Sequence, residues 1–387
     1  LGENGSYGSV LPAGVRSRAL ANINGLTMHV LESGFEGSDR PAVLLLHGFP
    51  ELAYSWRKIM LPLASAGFHV IAPDRRGYGR TSGWDDAYDV DLAPFGYLNR
   101  VGDCLALVSA LRLSSVAGVV GHDFGSPLAA WCALIRPDVF RSVVMMSTPF
   151  GGPPTLPFDT ADHRQAASSN SSSASNIDKE LAALPRPRKH YTRYYSTRAA
   201  NGDMRFAPQG LHAFLRAYYH YKSADWKNNQ PFALKARTAE ELAKLPTYYV
   251  MDLAKGMAET VAPEMPSASA VAACNWLTEP ELGVYTSEYG RTGFQGGLNE
   301  YRCLFDDKQN AQLRRFSGRT VDVPSIFIGG ESDWGVFQTP GALETMRDRI
   351  CTQMRGIHLV QGAGHWVQQE EPDQVSDILV RFLFELR

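Results

Sequence analysis

The segment Val119-Val120-Gly121-His122-Asp123-Phe124-Gly125-Ser126 carries the clearest chemistry in the chain. An apolar run, Val116 to Val120, rises to a sharp turn, and a helix-like stretch from Pro127 to Ile135 leaves it. Asp123 stands at the apex between Gly121 and Gly125, whose small size lets the backbone close tightly around it. A serine in that place would form acyl-enzymes. A carboxylate oxygen instead suits attack on saturated carbon and leaves an alkyl ester on the protein. The electrophiles that fit are epoxides and alkyl halides.

Such an ester must then be cleaved by water, which requires a base, an acid to orient it and a site for the oxyanion. The chain supplies them in the order nucleophile, acid, histidine. Gly329-Gly330-Glu331-Ser332-Asp333-Trp334 follows an apolar run and offers Asp333, with Glu331 as rival in the same loop. Gln361-Gly362-Ala363-Gly364-His365-Trp366 follows the last apolar run and offers His365 as the base that activates water. The oxyanion donors are expected to be the backbone N–H groups of Phe124 and of Phe49, in His47-Gly48-Phe49-Pro50, with Pro50 cis to aim the latter inward. Phe49, Pro50, Phe124, Tyr219, Trp334 and Trp366 are the expected pocket lining, while His47 and His122 are expected to hydrogen-bond locally.

The elements that must hold these groups alternate in type. Ile23-Asn24-Gly25-Leu26 is an Asn-Gly turn between extended runs, a hairpin signal. Val43–Leu46, Val70–Ala72, Val116–Val120 and Val143–Met146 are short continuous apolar runs with helix-like segments between most of them. That pattern predicts an α/β fold with a mostly parallel sheet covered on both faces. From 151 to 317 the β-branched runs thin out, tyrosines accumulate and helical periods appear, notably over Leu211–Tyr221 and Ala239–Leu245. Residues 166–176, almost all Ser, Ala and Asn, read as a mobile surface loop. Strand character returns at Val323–Ile328 and Ile357–Val360, and an amphipathic helix over Val375–Leu386 closes the chain. The simplest division is a core from 1–150 and 318–387, interrupted by a helical insertion.

Composition sets outer bounds. With 387 residues, 44% apolar, 20% charged and a formal net charge of −2, the chain has the profile of a globular enzyme and no electrostatic reason to seek nucleic acid. It contains no apolar run of about 18 residues, so no membrane span is expected. The first residues lack the basic start and apolar core of a secretory leader. Cys104, Cys132, Cys274, Cys303 and Cys351 are scattered without metal-type spacing and read as buried thiols, which makes the cytoplasm the expected location. Dispersed histidines suggest no metal site, and Gly77-Tyr78-Gly79 lacks the spacing of a dinucleotide loop.

Together His47-Gly48-Phe49-Pro50-Glu51, Asp74-Arg75-Arg76-Gly77-Tyr78-Gly79, the Gly-His-Asp-x-Gly turn at 121–125, Asp333-Trp334 and Gly364-His365-Trp366 resemble the epoxide hydrolases of the α/β-hydrolase superfamily. The resemblance covers both halves of the core. It implies an α/β-hydrolase fold with a helical cap, an epoxide and water as substrates, and no cofactor. It also implies two cap tyrosines that hydrogen-bond the ring oxygen as the ring opens. Gly293-Phe294-Gln295-Gly296-Gly297-Leu298-Asn299-Glu300-Tyr301-Arg302 looks like the motif of the second, placing it at Tyr301, with Glu300 where tryptophan is common. Ala217-Tyr218-Tyr219-His220-Tyr221 favours Tyr218 as the first, with Tyr219 and Tyr221 open. Haloalkane dehalogenases of the same branch typically carry a tryptophan after the nucleophile, where this chain has Phe124. A non-hydrolytic binding protein, a biosynthetic epoxide-opening enzyme and a homodimer stay open.

Overall fold

A computed structural model describes residues 10–37, 39–158 and 170–386. Its strands are β1 (Arg16–Ile23), β2 (Leu26–Ser33), β3 (Ala42–Leu46), β4 (His69–Pro73), β5 (Gly118–His122), β6 (Val143–Met146), β7 (Arg188–His190), β8 (Val250–Asp252), β9 (Ser325–Gly330) and β10 (Met354–Val360). Eight of them form one sheet in the order β1-β2-β4-β3-β5-β6-β9-β10. The β1–β2 and β2–β4 pairs are antiparallel, and every pair from β4 to β10 is parallel. The hairpin turns through Asn24 and Gly25, at φ 50° and 80°, the pair of positive values that an Asn-Gly turn provides.

Burial on both faces explains the uninterrupted apolar strands. Along β3, Val43 and Leu45 join one core cluster while Leu44 and Leu46 join the other, the period of two that a pleated strand imposes. The first cluster packs under Ile59 and Leu63 of the helix Arg57–Ser65 and Leu379 and Leu383 of the helix Pro372–Phe384. The second packs under Leu107 of the helix Tyr97–Ala110 and Leu128 of the helix Gly125–Ile135.

Between β6 and β9 the described chain is mainly helical, with β7 and β8 pairing as a separate two-stranded ribbon. The first cluster continues into this insertion through Leu215, Tyr218 and Tyr301. Two glycines set the closest approach of insertion to core: a Cβ on Gly296 would lie 2.1 Å from the carbonyl oxygen of Gly77. The serine-rich stretch departs from its expected loop character. Residues 166–169 lie outside the described residues, and from Asn170 the chain is helical to Ala182. Ile177 and Leu181 in its later turns are buried, so tertiary packing supports a segment whose own residues favour no helix. Among the described residues no helix is long and apolar enough to cross a membrane.

Candidate active site

The turn after β5 is as tight as its glycines suggested. Asp123 has φ 52°, a left-handed conformation that costs a non-glycine residue energy and persists only where the surroundings enforce it. A Cβ on Gly121 would lie 1.9 Å from the carbonyl oxygen of Gly125, and one on Gly125 would lie 2.0 Å from that of Leu46. A Cβ on Gly48 would lie 2.3 Å from the Asp123 Cβ. These clearances leave glycine as the one residue that fits each position. The carboxylate also sits at the N-terminal end of the helix Gly125–Ile135, where the helix dipole favours negative charge.

The loops after β9 and β10 bring Asp333 and His365 to it. His365 Nδ1 is 3.1 Å from Asp333 Oδ1, and its Nε2 is 3.6 Å from Asp123 Oδ2. With Nδ1–H donated to Asp333, Nε2 carries the lone pair that faces Asp123. Asp333 Oδ1 also accepts the Gly335 N–H at 2.7 Å, and its Oδ2 accepts the Ser147 hydroxyl at 2.5 Å. Glu331, the rival acid, is exposed. Burial alone would push the Asp333 carboxyl up, but His365, Ser147 and the Gly335 N–H hold it below its ordinary range. Ser147, at φ 68° just beyond β6, was not foreseen; no motif marks it.

The two Asp123 oxygens have different surroundings. Oδ1 accepts the Phe49 N–H at 2.9 Å, the first of the two expected oxyanion donors, while Oδ2 faces His365. The Phe49–Pro50 peptide is cis, as anticipated. The Phe124 N–H forms no hydrogen bond to Asp123 among the described residues, and its ring packs edge-on to Tyr301 at 4.5 Å. Burial opposes the charge on Asp123, yet His365, Lys222 and His122 hold its carboxyl well below the usual range. Lys222 is itself buried, its Nζ 5.0 Å from the Tyr249 ring centre and 5.5 Å from those of Tyr218 and Trp366. Its cation is thus held by aromatic faces.

Tyr301, on the helix Gln295–Cys303, lies beside Asp123's neighbours, 5.4 Å from the Phe49 ring as well as against Phe124. Of the three tyrosines considered for the first cap position, two have committed hydroxyls: Tyr219 donates to the Pro50 carbonyl at 2.8 Å, and Tyr221 pairs with Thr247 at 2.9 Å. The Tyr218 hydroxyl accepts a hydrogen bond from Tyr195 at 3.3 Å. Tyr191, the first residue after β7 and marked by no motif, meets Tyr301 ring to ring at 5.8 Å. Burial first, then the Asp123 carboxylate, raises the Tyr191 phenol well above its ordinary value. Burial, Tyr191 and Asp123 do the same for Tyr301, so both phenols keep their protons. With 16 tyrosines in the chain, residue type alone could not single out Tyr191.

Supporting contacts account for other motif residues. His47 bonds locally: Nδ1 to the Gly48 carbonyl at 2.9 Å, with Nε2 accepting the Arg75 N–H at 3.1 Å. His122 does more, with Nδ1 2.6 Å from Glu51 Oε2 and Nε2 2.7 Å from the His365 carbonyl. Burial disfavours its charge, but Glu51 raises it, and two acceptors require a proton on each nitrogen. Trp366 supports the base from behind, its Nε1–H donated to the Tyr219 carbonyl at 2.8 Å. Trp334 is buried against Phe232 at 5.0 Å. Glu300 is buried, 2.7 Å from Arg75 and 2.8 Å from Arg100.

Comparison with known proteins agrees with this geometry. A family profile described as alpha/beta hydrolase fold matches residues 41–372. The epoxide hydrolase of Caballeronia sordidicola is 32% identical over 375 residues, 97% of this chain and 95% of that protein. Epoxide hydrolase B of Mycobacterium tuberculosis is 30% identical over 375 residues, 95% of this chain and 98% of that protein. Among solved structures, an epoxide hydrolase from an endophytic Streptomyces superposes with a TM-score of 0.76 at 30% identity, covering 97% of each chain. Potato epoxide hydrolase I gives 0.71 at 29% identity, covering 96% of this chain and 99% of its own. The chain therefore belongs to the alpha/beta hydrolase fold family, and within it to the epoxide hydrolases.

Proposed function

We propose that this epoxide hydrolase works through a covalent ester on Asp123. The observation that carries this is the unequal treatment of its two oxygens: Phe49 N–H binds Oδ1 at 2.9 Å, which leaves Oδ2 to attack. Oδ2 displaces a ring carbon–oxygen bond from the back, while Tyr301 and Tyr191 donate to the leaving oxygen and supply its proton. Tyr191 takes the place first given to Tyr218 because its ring meets that of Tyr301. The ester carbonyl oxygen is then Oδ1, already in the Phe49 donor, with the Phe124 N–H as the second.

His365 takes a proton from water, and the hydroxide adds to Cγ of Asp123. Collapse of the oxyanion breaks the Cγ–Oδ2 bond, and the departing Oδ2 takes the proton held by His365 to complete the vicinal diol. The carboxyl left on Asp123 then loses its proton, which restores the phenol that gave one up. The new diol oxygen in a first turnover thus comes from the protein. Single turnover with enzyme in excess in ¹⁸O-water, followed by mass spectrometry, is expected to give unlabelled diol and one ¹⁸O in Asp123. Label in the diol would instead mean direct attack by water and end this reading.

A further inference from the structure

The backbone around the base is held by three successive N–H groups. Gly364 donates to Oε2 of Glu370 at 2.9 Å, and Trp366 donates to Oε1 of Glu370 at 2.9 Å. Between them, His365 donates to the Lys222 carbonyl at 3.0 Å. Glu370 Oε2 also accepts the Ala224 N–H at 2.8 Å. One carboxylate therefore brackets His365 and ties its loop to the turn that ends the insertion helix Leu211–Lys222. The approach is close: a Cβ on Gly364 would lie 2.5 Å from the backbone nitrogen of Ala224. Burial pushes the Glu370 carboxyl up to about 8, against the pull of the same three N–H groups.

We propose that Glu370 is a positioning residue for the second step, holding His365 Nε2 at the ester and making that aim depend on the docked insertion. The inference rests on the ester reading above. Attack by Asp123 uses neither this loop nor Glu370, whereas ester hydrolysis needs the imidazole within a narrow range. A displacement near 1 Å costs about 100-fold in rate. In Glu370→Gln one of the two acceptor oxygens becomes an NH₂ group, so at least one of the three N–H groups loses its partner.

The test is rapid-quench turnover of an aryl epoxide, styrene oxide, with intact-protein mass spectrometry to follow the ester. In Glu370→Gln ester hydrolysis is expected to slow by roughly 10- to 100-fold while ester formation persists, so the ester accumulates. Glu370→Asp, which keeps a carboxyl with two acceptor oxygens, should restore part of the hydrolysis rate. Gly364→Ala pushes the same loop off the insertion through different atoms and should give the same partition. It carries the test should Glu370→Gln fold poorly by circular dichroism. His365→Gln is the control: if it traps no ester, the ester reading fails. If it traps ester but the Glu370 and Gly364 variants slow both steps alike, or neither, Glu370 is merely structural and the proposal is overturned.

Discussion

His365 Nε2 stands 3.6 Å from Asp123 Oδ2, longer than a hydrogen bond and suited to a base that would serve the proposed ester on that oxygen. Replacing it separates the two halves of the reaction. His365→Gln is expected to lower steady-state turnover by about 10³-fold or more. The enzyme should gain the mass of one epoxide at Asp123. Rapid turnover without a trapped adduct would remove His365 from the mechanism.

The three phenols near the nucleophile make distinct predictions. Tyr301→Phe and Tyr191→Phe should each slow ester formation by roughly 10²-fold, the lower range for a general acid, because one donor remains. The double variant should be slower still. Tyr218→Phe is expected to cost much less, since its ring packs on Phe214, Tyr219 and Trp366 whereas that of Tyr191 meets Tyr301. Pre-steady-state alkylation rates for the four variants decide it; a larger loss in Tyr218→Phe than in Tyr191→Phe would return the role to Tyr218.

Glu300 faces two buried arginines, 2.7 Å from Arg75 and 2.8 Å from Arg100. Glu300→Gln would leave both guanidinium groups without their shared counter-charge, and breaking a buried pair from one side costs about 3–5 kcal/mol. Arg75 and Arg100 belong to the core and Glu300 to the insertion, so the loss should appear as a lower urea midpoint. An effect below about 1 kcal/mol, the range of an exposed pair, would show that the cluster contributes little to stability.

Acid should destabilise the fold in two stages. Burial and then Arg75 push the His47 imidazole from 6.5 down to about 4. The folded state therefore binds fewer protons than the unfolded one in that window, and stability is lost as pH falls from 6.5 to 4. Burial alone would raise the Glu32 carboxyl, but His69, Arg18 and Arg16 lower it from 4.5 to about 2. Its contribution is present above 4.5 and lost as pH falls towards 2. Thermal melts should show Tm declining below pH 6.5, at roughly 1 °C for each kcal/mol lost. His47→Gln should flatten the upper stage; an unchanged profile would mean that His47 is not responsible.

Much of this protein was legible before any coordinate. Apolar runs of four or five residues marked β3, β4, β5 and β6 because strands covered on both faces need no polar alternation. Small residues around Asp123, and turns following β9 and β10, marked Asp123, Asp333 and His365, which the fold brings together, since those requirements are local. The chain favours Asp333 over Glu331 in the same turn, and the fold buries Asp333 beside His365 while Glu331 is exposed.

What the chain alone determined was the chemistry of the core loops, where backbone geometry dictates residue type over a few positions. The tertiary structure decided which tyrosines meet above the nucleophile. Helices of the insertion can rotate and slide without changing their local pattern, so the approach of Tyr191 to Tyr301 is set by packing across 110 positions of sequence. The same reason hid Ser147 and Glu370. Each acts on a partner far along the chain or through backbone N–H groups, and neither contact leaves a mark in residue spacing.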